Sequence, residues 1–99
     1  MFIKIHKAYR DIVAVCDTDL IGKRFEDGNK VLDVRENFFK GEEISANELV
    51  EMMTDTSSEA DATFNIVGKK SIDVAMRAGI IDKTGVKTVK GVPFALALL

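Results

Sequence analysis

Cysteine, proline and tryptophan are almost missing from this chain: one Cys, one Pro and no Trp in 99 residues. With Cys16 alone there is no internal disulfide and no cysteine cluster to hold zinc, so a reduced, cytoplasmic setting is expected. Long apolar runs are missing too. The longest, residues 92–99, is far short of the ~20 residues a membrane helix needs, so no membrane association is expected. The start, Met1-Phe2-Ile3-Lys4-Ile5, has no apolar stretch behind a basic end, and no signal peptide is expected. Nor is there an excess of positive charge. A net charge of -2 and a pI of about 5.4 exclude a domain that is basic all over and coats nucleic acid by charge alone.

What is present suits one small globular domain spanning residues 1–99: 46% hydrophobic and 30% charged residues. Residues 2–8 and 12–16 read as strands, and the short polar link Tyr9-Arg10-Asp11 makes them a hairpin. Residues 23–26 and 30–35 read as the arms of a second hairpin around Asp27-Gly28, a pair that tolerates the positive φ of a type I′ turn. Ser45-Ala46-Asn47-Glu48 is a capping-box pattern that should stabilise a following helix by ~1 kcal/mol. Leu49, Met52 and Met53 give that helix its apolar stripe. Residues 54–61 read as a loop, and residues 63–67 as a strand. Ile72, Ala75, Met76 and Gly79 hold the spacing of a second helix, with Gly79 at its C′ position and Ile80 making the contact that follows. Residues 86–90 and 94–99 complete the strands. The last is apolar on both faces, as in a strand buried from two sides or covered by a partner. The predicted fold is therefore a small α+β domain, a mixed, mainly antiparallel sheet with two principal helices.

Charge is uneven along the chain. Residues 36–61 hold eight acids and one base, whereas residues 62–99 hold six bases and two acids.

Four blocks in order are Cys16-Asp17-Thr18-Asp19-Leu20-Ile21-Gly22-Lys23-Arg24-Phe25, Asn65-Ile66-Val67-Gly68, residues 75–79 and Gly91-Val92-Pro93. Together they resemble a small archaeal family catalogued as domain of unknown function 424, over nearly the whole chain. The resemblance implies an archaeal source, a compact α+β fold and the company of translation genes. It implies no activity. Where the family pattern has a His and a polar residue after Gly-Val-Pro, this chain has Phe94 and Leu96, so a role built on a histidine there does not carry over.

The sharpest local candidate is the run from Asn65 to Ser71, a strand, a glycine and a helix start. Helix N-termini carry unpaired N–H groups and attract anions. The expectation is a phosphate of RNA or a nucleotide at Asn65, Gly68, Lys69, Lys70 and Ser71. In the plainer alternative Ser71 caps the helix, Asp73 complements its dipole and the lysines lie in solvent. One glycine before Lys-Lys-Ser is too little for a Walker loop. The same two lysines with Arg77, Lys83, Lys87 and Lys90 form a broader basic set. On one face it would track a phosphate backbone; otherwise it is a solvated surface. Stacking partners for bases are scarce, because Phe64 and Phe94 lie in apolar surroundings.

Cys16 and the lone histidine, His6, make a nucleophile–base pair only if the hairpin register brings them together. Asp17, Asp19, Glu26, Asp27 and Asp33 lack the glycine and terminal glutamate of a calcium loop, and Asp17 reads as a cap on the turn before Leu20-Ile21-Gly22. Glu42, Glu43, Glu48, Glu51 and Asp55 read as a solvated face or a dock for a basic protein. Phe94, Leu96, Leu98 and Leu99 read as core, or as an edge that a second copy would cover to make a homodimer. The functional expectation is a non-catalytic RNA- or ribonucleoprotein-binding module. A protein–protein adaptor using the acidic helix or the apolar last strand is the alternative. An enzyme ranks last, and no cofactor or metal is expected: no nucleophile–base pair, glycine-rich cofactor loop or metal cluster is legible.

Overall fold

Alternating side chains build the middle of the protein. In β6 (Ala62–Val67), Ala62, Phe64 and Ile66 are buried while Thr63 and Asn65 between them are half-buried. The computed structural model describes residues 1–57 and 61–99. Around β6 it assembles β1 (Phe2–His6), β2 (Asp11–Cys16), β5 (Glu42–Glu43), β7 (Lys87–Val89) and β8 (Val92–Leu98) into a six-stranded sheet, in the order β5-β1-β2-β6-β8-β7. β2 and β6 run parallel; every other pair in the sheet is antiparallel. A two-stranded hairpin of β3 (Arg24–Asp27) and β4 (Lys30–Asp33) stands apart from it. With helices α1 (Glu36–Phe39), α2 (Ala46–Ser57) and α3 (Lys69–Arg77), this is the expected mixed, mainly antiparallel α+β architecture.

The two faces of the sheet are covered unequally. On the first, Ile3, Val13, Val15, Phe64 and Ile66 pack under Leu49 and Met53 of α2 and Ile72 and Ala75 of α3. Each fully buried side chain of that size contributes roughly 1.5–3 kcal/mol. The second face carries Ala14, Cys16 and Val67 under Leu32, Val34 and Phe39. Its cover is thin: the β3–β4 hairpin and the four residues of α1.

Several local readings hold. Ser45 and Glu48 form the capping box: the Glu48 amide donates to Ser45 Oγ (3.3 Å) and the Ser45 amide to Glu48 Oε1 (3.4 Å). α3 ends as expected, with Gly79 N–H donating to Met76 O (3.1 Å) and Ile80 N–H to Ala75 O (3.0 Å).

Other readings are corrected. α2 continues through Ser57 into the stretch expected to be loop, and residues 58–60 of that stretch lie outside the described residues. α1 and β5 were not expected; both are shorter than any periodic signal. The second hairpin turns at Gly28-Asn29, with Asp27 opposite Lys30 and φ +63° at Gly28. Asn29 is not at positive φ, so the turn is of the glycine-first kind rather than type I′. β8 is not buried from two sides, since Leu96 and Leu98 are 59% and 68% exposed.

The turn with two left-handed residues is instead Lys90-Gly91, joining β7 to β8, with φ +52° and +78°. Lysine has no local hydrogen bond to offset that conformation, whereas asparagine tolerates it. Lys90→Asn should therefore stabilise the protein by about 0.5 kcal/mol in urea unfolding.

Candidate functional site

The parallel register of β2 and β6 puts Cys16 beside Val67, and so brings Asp17 to the start of α3. Asp17 N–H donates to Val67 O (3.1 Å), which holds the residue in place. Its carboxylate, buried like Ser71, then takes the first free donors of the helix. Oδ2 accepts from the Lys70 amide (3.1 Å); Oδ1 accepts from the Ser71 amide (2.9 Å) and the Ser71 hydroxyl (2.7 Å). Gly68 is the N-cap residue at φ +107°. A Cβ built on it would lie 2.7 Å from both carboxylate oxygens, so only glycine lets the two approach.

This arrangement corrects two expectations. The amides of Lys70 and Ser71 that a phosphate would use are committed to a carboxylate of the chain itself. Ser71 is not the cap either, but a buried third-position residue whose hydroxyl donates to Asp17. Asp17 carries no cap on its local turn, since its side chain makes no bond there. The negative charge at the helix start that Lys69 and Lys70 call for is internal.

The broader basic set is not gathered by one element. Lys69 and Lys70 begin α3 and Arg77 ends it, roughly 12 Å further along the helix, with exposed Asp73 between them. Lys83 lies in the 3-10 turn before β7, Lys87 on β7 and Lys90 in the turn after it. All six are exposed, and none pairs with an acid among the described residues.

The hairpin register decides the Cys16–His6 question. Phe2 opposes Cys16 and His6 opposes Ile12, so the two side chains share a face four residues apart along the strand, about 13 Å. Burial, helped by the nearby Asp17 carboxylate, pushes the Cys16 thiol up to about 11. A thiol held protonated and without a base is not a nucleophile. Among the described residues no group of His, Cys, Asp or Glu side chains could hold a metal ion. On α2, Glu48, Glu51 and Asp55 are exposed, as the solvated-face reading expects.

The thin second face leaves a cleft of about 380 Å³ between α1, β4 and the sheet. Its floor is Asn65 of β6 with Phe94 and Leu96 of β8, in register with Leu96 opposite Asn65. Leu32, Phe38 and Phe39 form the wall, and Arg35 stands at the rim. Strand β1 anchors this wall. Lys4 Nζ donates to Asn37 O (2.7 Å), His6 Nε2 lies 2.9 Å from Phe38 O, and the His6 ring stacks on Phe38 at 4.6 Å and 19°. Phe39 meets Phe38 edge-on at 5.0 Å. The Asn65 amide makes no hydrogen bond with any described residue, so it offers donors and an acceptor to an occupant of an otherwise apolar space. Thr63 and Leu98, the next pair on this face, extend the apolar strip beyond the cleft. Of the expected site residues only Asn65 belongs here. Phe94 and Leu96 were read as core or as a strand edge; Arg35 and Phe38 were missed, because their meeting with β8 depends on how α1 lies on the sheet.

The fold has a solved counterpart. A crystal structure of an uncharacterized conserved protein from Methanopyrus kandleri is similar over 96% of this chain and 87% of that one, with TM-score 0.84 and 21% sequence identity. The family described as protein of unknown function (DUF424) matches residues 6–98. No curated protein matches the chain.

Two outcomes follow from the buried groups. Asp17→Ala strands two amides and a hydroxyl, and should cost about 2–4 kcal/mol in urea unfolding. Gly68→Ala should cost about 2 kcal/mol or more, and the two losses should not add, because Asp17→Ala removes the atoms the new Cβ meets. The second outcome concerns pH. The Cys16 thiol, ordinarily at 9.0, is raised to about 11 in the native state, so the unfolded chain loses this proton first. Its stabilising contribution is complete below pH 9 and declines by about 1.4 kcal/mol per pH unit above it, until pH 11. Stability of Cys16→Ala measured across that window should fall less steeply than that of the parent.

Proposed function

The chain belongs to the family described as protein of unknown function (DUF424), and we propose that it acts as a non-catalytic module that holds a protein partner on the open half of its second sheet face. The observation that carries this reading is the pair Leu96 and Leu98, 59% and 68% exposed beside the cleft. Large apolar side chains left mostly in water next to an apolar hollow gain roughly 1–2 kcal/mol each when a partner covers them. The aromatic wall is tied to β1 by the His6–Phe38 stack and by Lys4 and His6 at the carbonyls of α1, which limits the order lost on binding. Asn65 and Arg35 supply the few polar groups that orient an occupant.

RNA binding remains the second reading, favoured by six exposed bases that make no ion pairs among the described residues. Their spread over both ends of α3 and the β7 region supports it less well than a single stripe would.

Affinity capture from native lysate, with and without ribonuclease, separates the two. The expected result is a protein that stays bound after ribonuclease and at high salt. Replacing Leu96 and Leu98 by serine should reduce its retention at least about tenfold, with unfolding free energy changed by no more than about 0.5 kcal/mol per site. Retention that ribonuclease abolishes, and that survives both serine substitutions, would instead support the RNA reading.

A further inference from the structure

We infer that the bare edge of β8 is a self-association site, occupied by the same edge of a second copy of this chain. β6 pairs with β8 from Phe94 to Leu98, but β7 on its other side reaches only from Val92 to Phe94. From residue 95 onward, one side of β8 has no strand beside it among the described residues. The direction of its main-chain groups follows from two bonds. Gly68 N–H donates to Pro93 O (2.8 Å) and Leu99 N–H donates to Ala62 O (3.0 Å), so odd-numbered residues of β8 face β6. Even-numbered residues therefore face outward. Val92 and Phe94 meet β7; Leu96 and Leu98 present N–H and C=O groups that no described residue takes.

Edges are normally blunted by lysine, proline or a bulge, and residues 95–98 contain no charge and no proline. The edge is also self-complementary. A two-fold axis at Ala97 sets Leu96 against Leu98 of the second copy and Leu98 against its Leu96. All four outward groups of each chain are then paired, and the leucines meet side by side. The one lysine paired with β8 on that side, Lys87, sits opposite Phe94. The two copies of Lys87 would lie about 20 Å apart, beyond the screening length in physiological salt. Such pairing uses the main-chain edge of Leu96 and Leu98, whose side chains also carry the partner reading, so the two proposals share these residues and the oligomeric state tells them apart.

Sedimentation equilibrium of the full chain, from micromolar to millimolar, tests the assignment. A monomer–dimer equilibrium is expected. Leu98→Pro removes one outward N–H per copy without touching the β6 ladder, and should weaken the dimer roughly tenfold or more while leaving the circular dichroism spectrum unchanged. In the second variant, Ala97→Cys, the two Cα atoms face each other across the axis about 4.5 Å apart, within disulfide range. Mild oxidation should link it as a dimer across the axis, and leave unlinked the parent, whose Cys16 lies on β2 in the middle of the sheet, flanked by β1 and β6. A parent chain that stays monomeric throughout overturns the assignment, as does a dimer unchanged by Leu98→Pro together with an unlinked Ala97→Cys. A monomer that still retains its ribonuclease-resistant partner would sink this inference alone and leave the cleft reading standing.

Discussion

One carboxylate joins the two halves of this protein. Asp17, at the exit of β2, accepts from the first turn of α3 at three donors, although the partners are more than fifty residues apart in sequence. β2 and β6 are parallel neighbours, and a parallel pair needs a long crossover. Here that crossover contains a hairpin, α1 and α2. The contact therefore closes a long loop and orients α3 over β6 and β8. It also explains the backbone of Gly68, whose left-handed conformation and missing Cβ make room for the carboxylate.

With α3 so placed, the sheet has one thick cover and one thin one. Two helices with long apolar stripes seal the first face. On the second, a two-stranded hairpin and a helix of one turn cover β2 and the upper part of β6, and stop short of the end of β8. A six-stranded sheet is wider than such a lid. The cleft and the exposed leucines both have this origin, whereas the open strand edge follows from the shortness of β7. The proposed binding surface is what the second layer does not reach, and its chemistry is that of core residues left outside.

The electrostatics follow the same geometry. Bases dominate residues 62–99, but α3 spaces them along its length with Asp73 between, and the turns around β7 carry the rest elsewhere. The positive end of the α3 dipole is met by Asp17. That carboxylate also helps hold the neighbouring Cys16 in its protonated form, next to a buried strand and away from His6. The Asp17 charge thus serves the fold.

Local chemistry was readable without a structure. Ser45 with Glu48 marked one helix start, Gly79 with Ile80 marked the end of another, and runs of strand-forming residues marked β1, β2 and β6, because each signal is complete within a few neighbouring residues. The family blocks pointed to the fold class. The sequence by itself thus determined most elements, the absence of disulfides and the uneven charge along the chain. Only the tertiary structure decided that Asp17 rather than a phosphate fills the start of α3. It alone decided that Cys16 and His6 lie apart, and that Leu96 and Leu98 are surface rather than core. Each of these turns on which strands are neighbours and in what register. A one-residue slip exchanges the faces of a strand, and no short-range pattern specifies it.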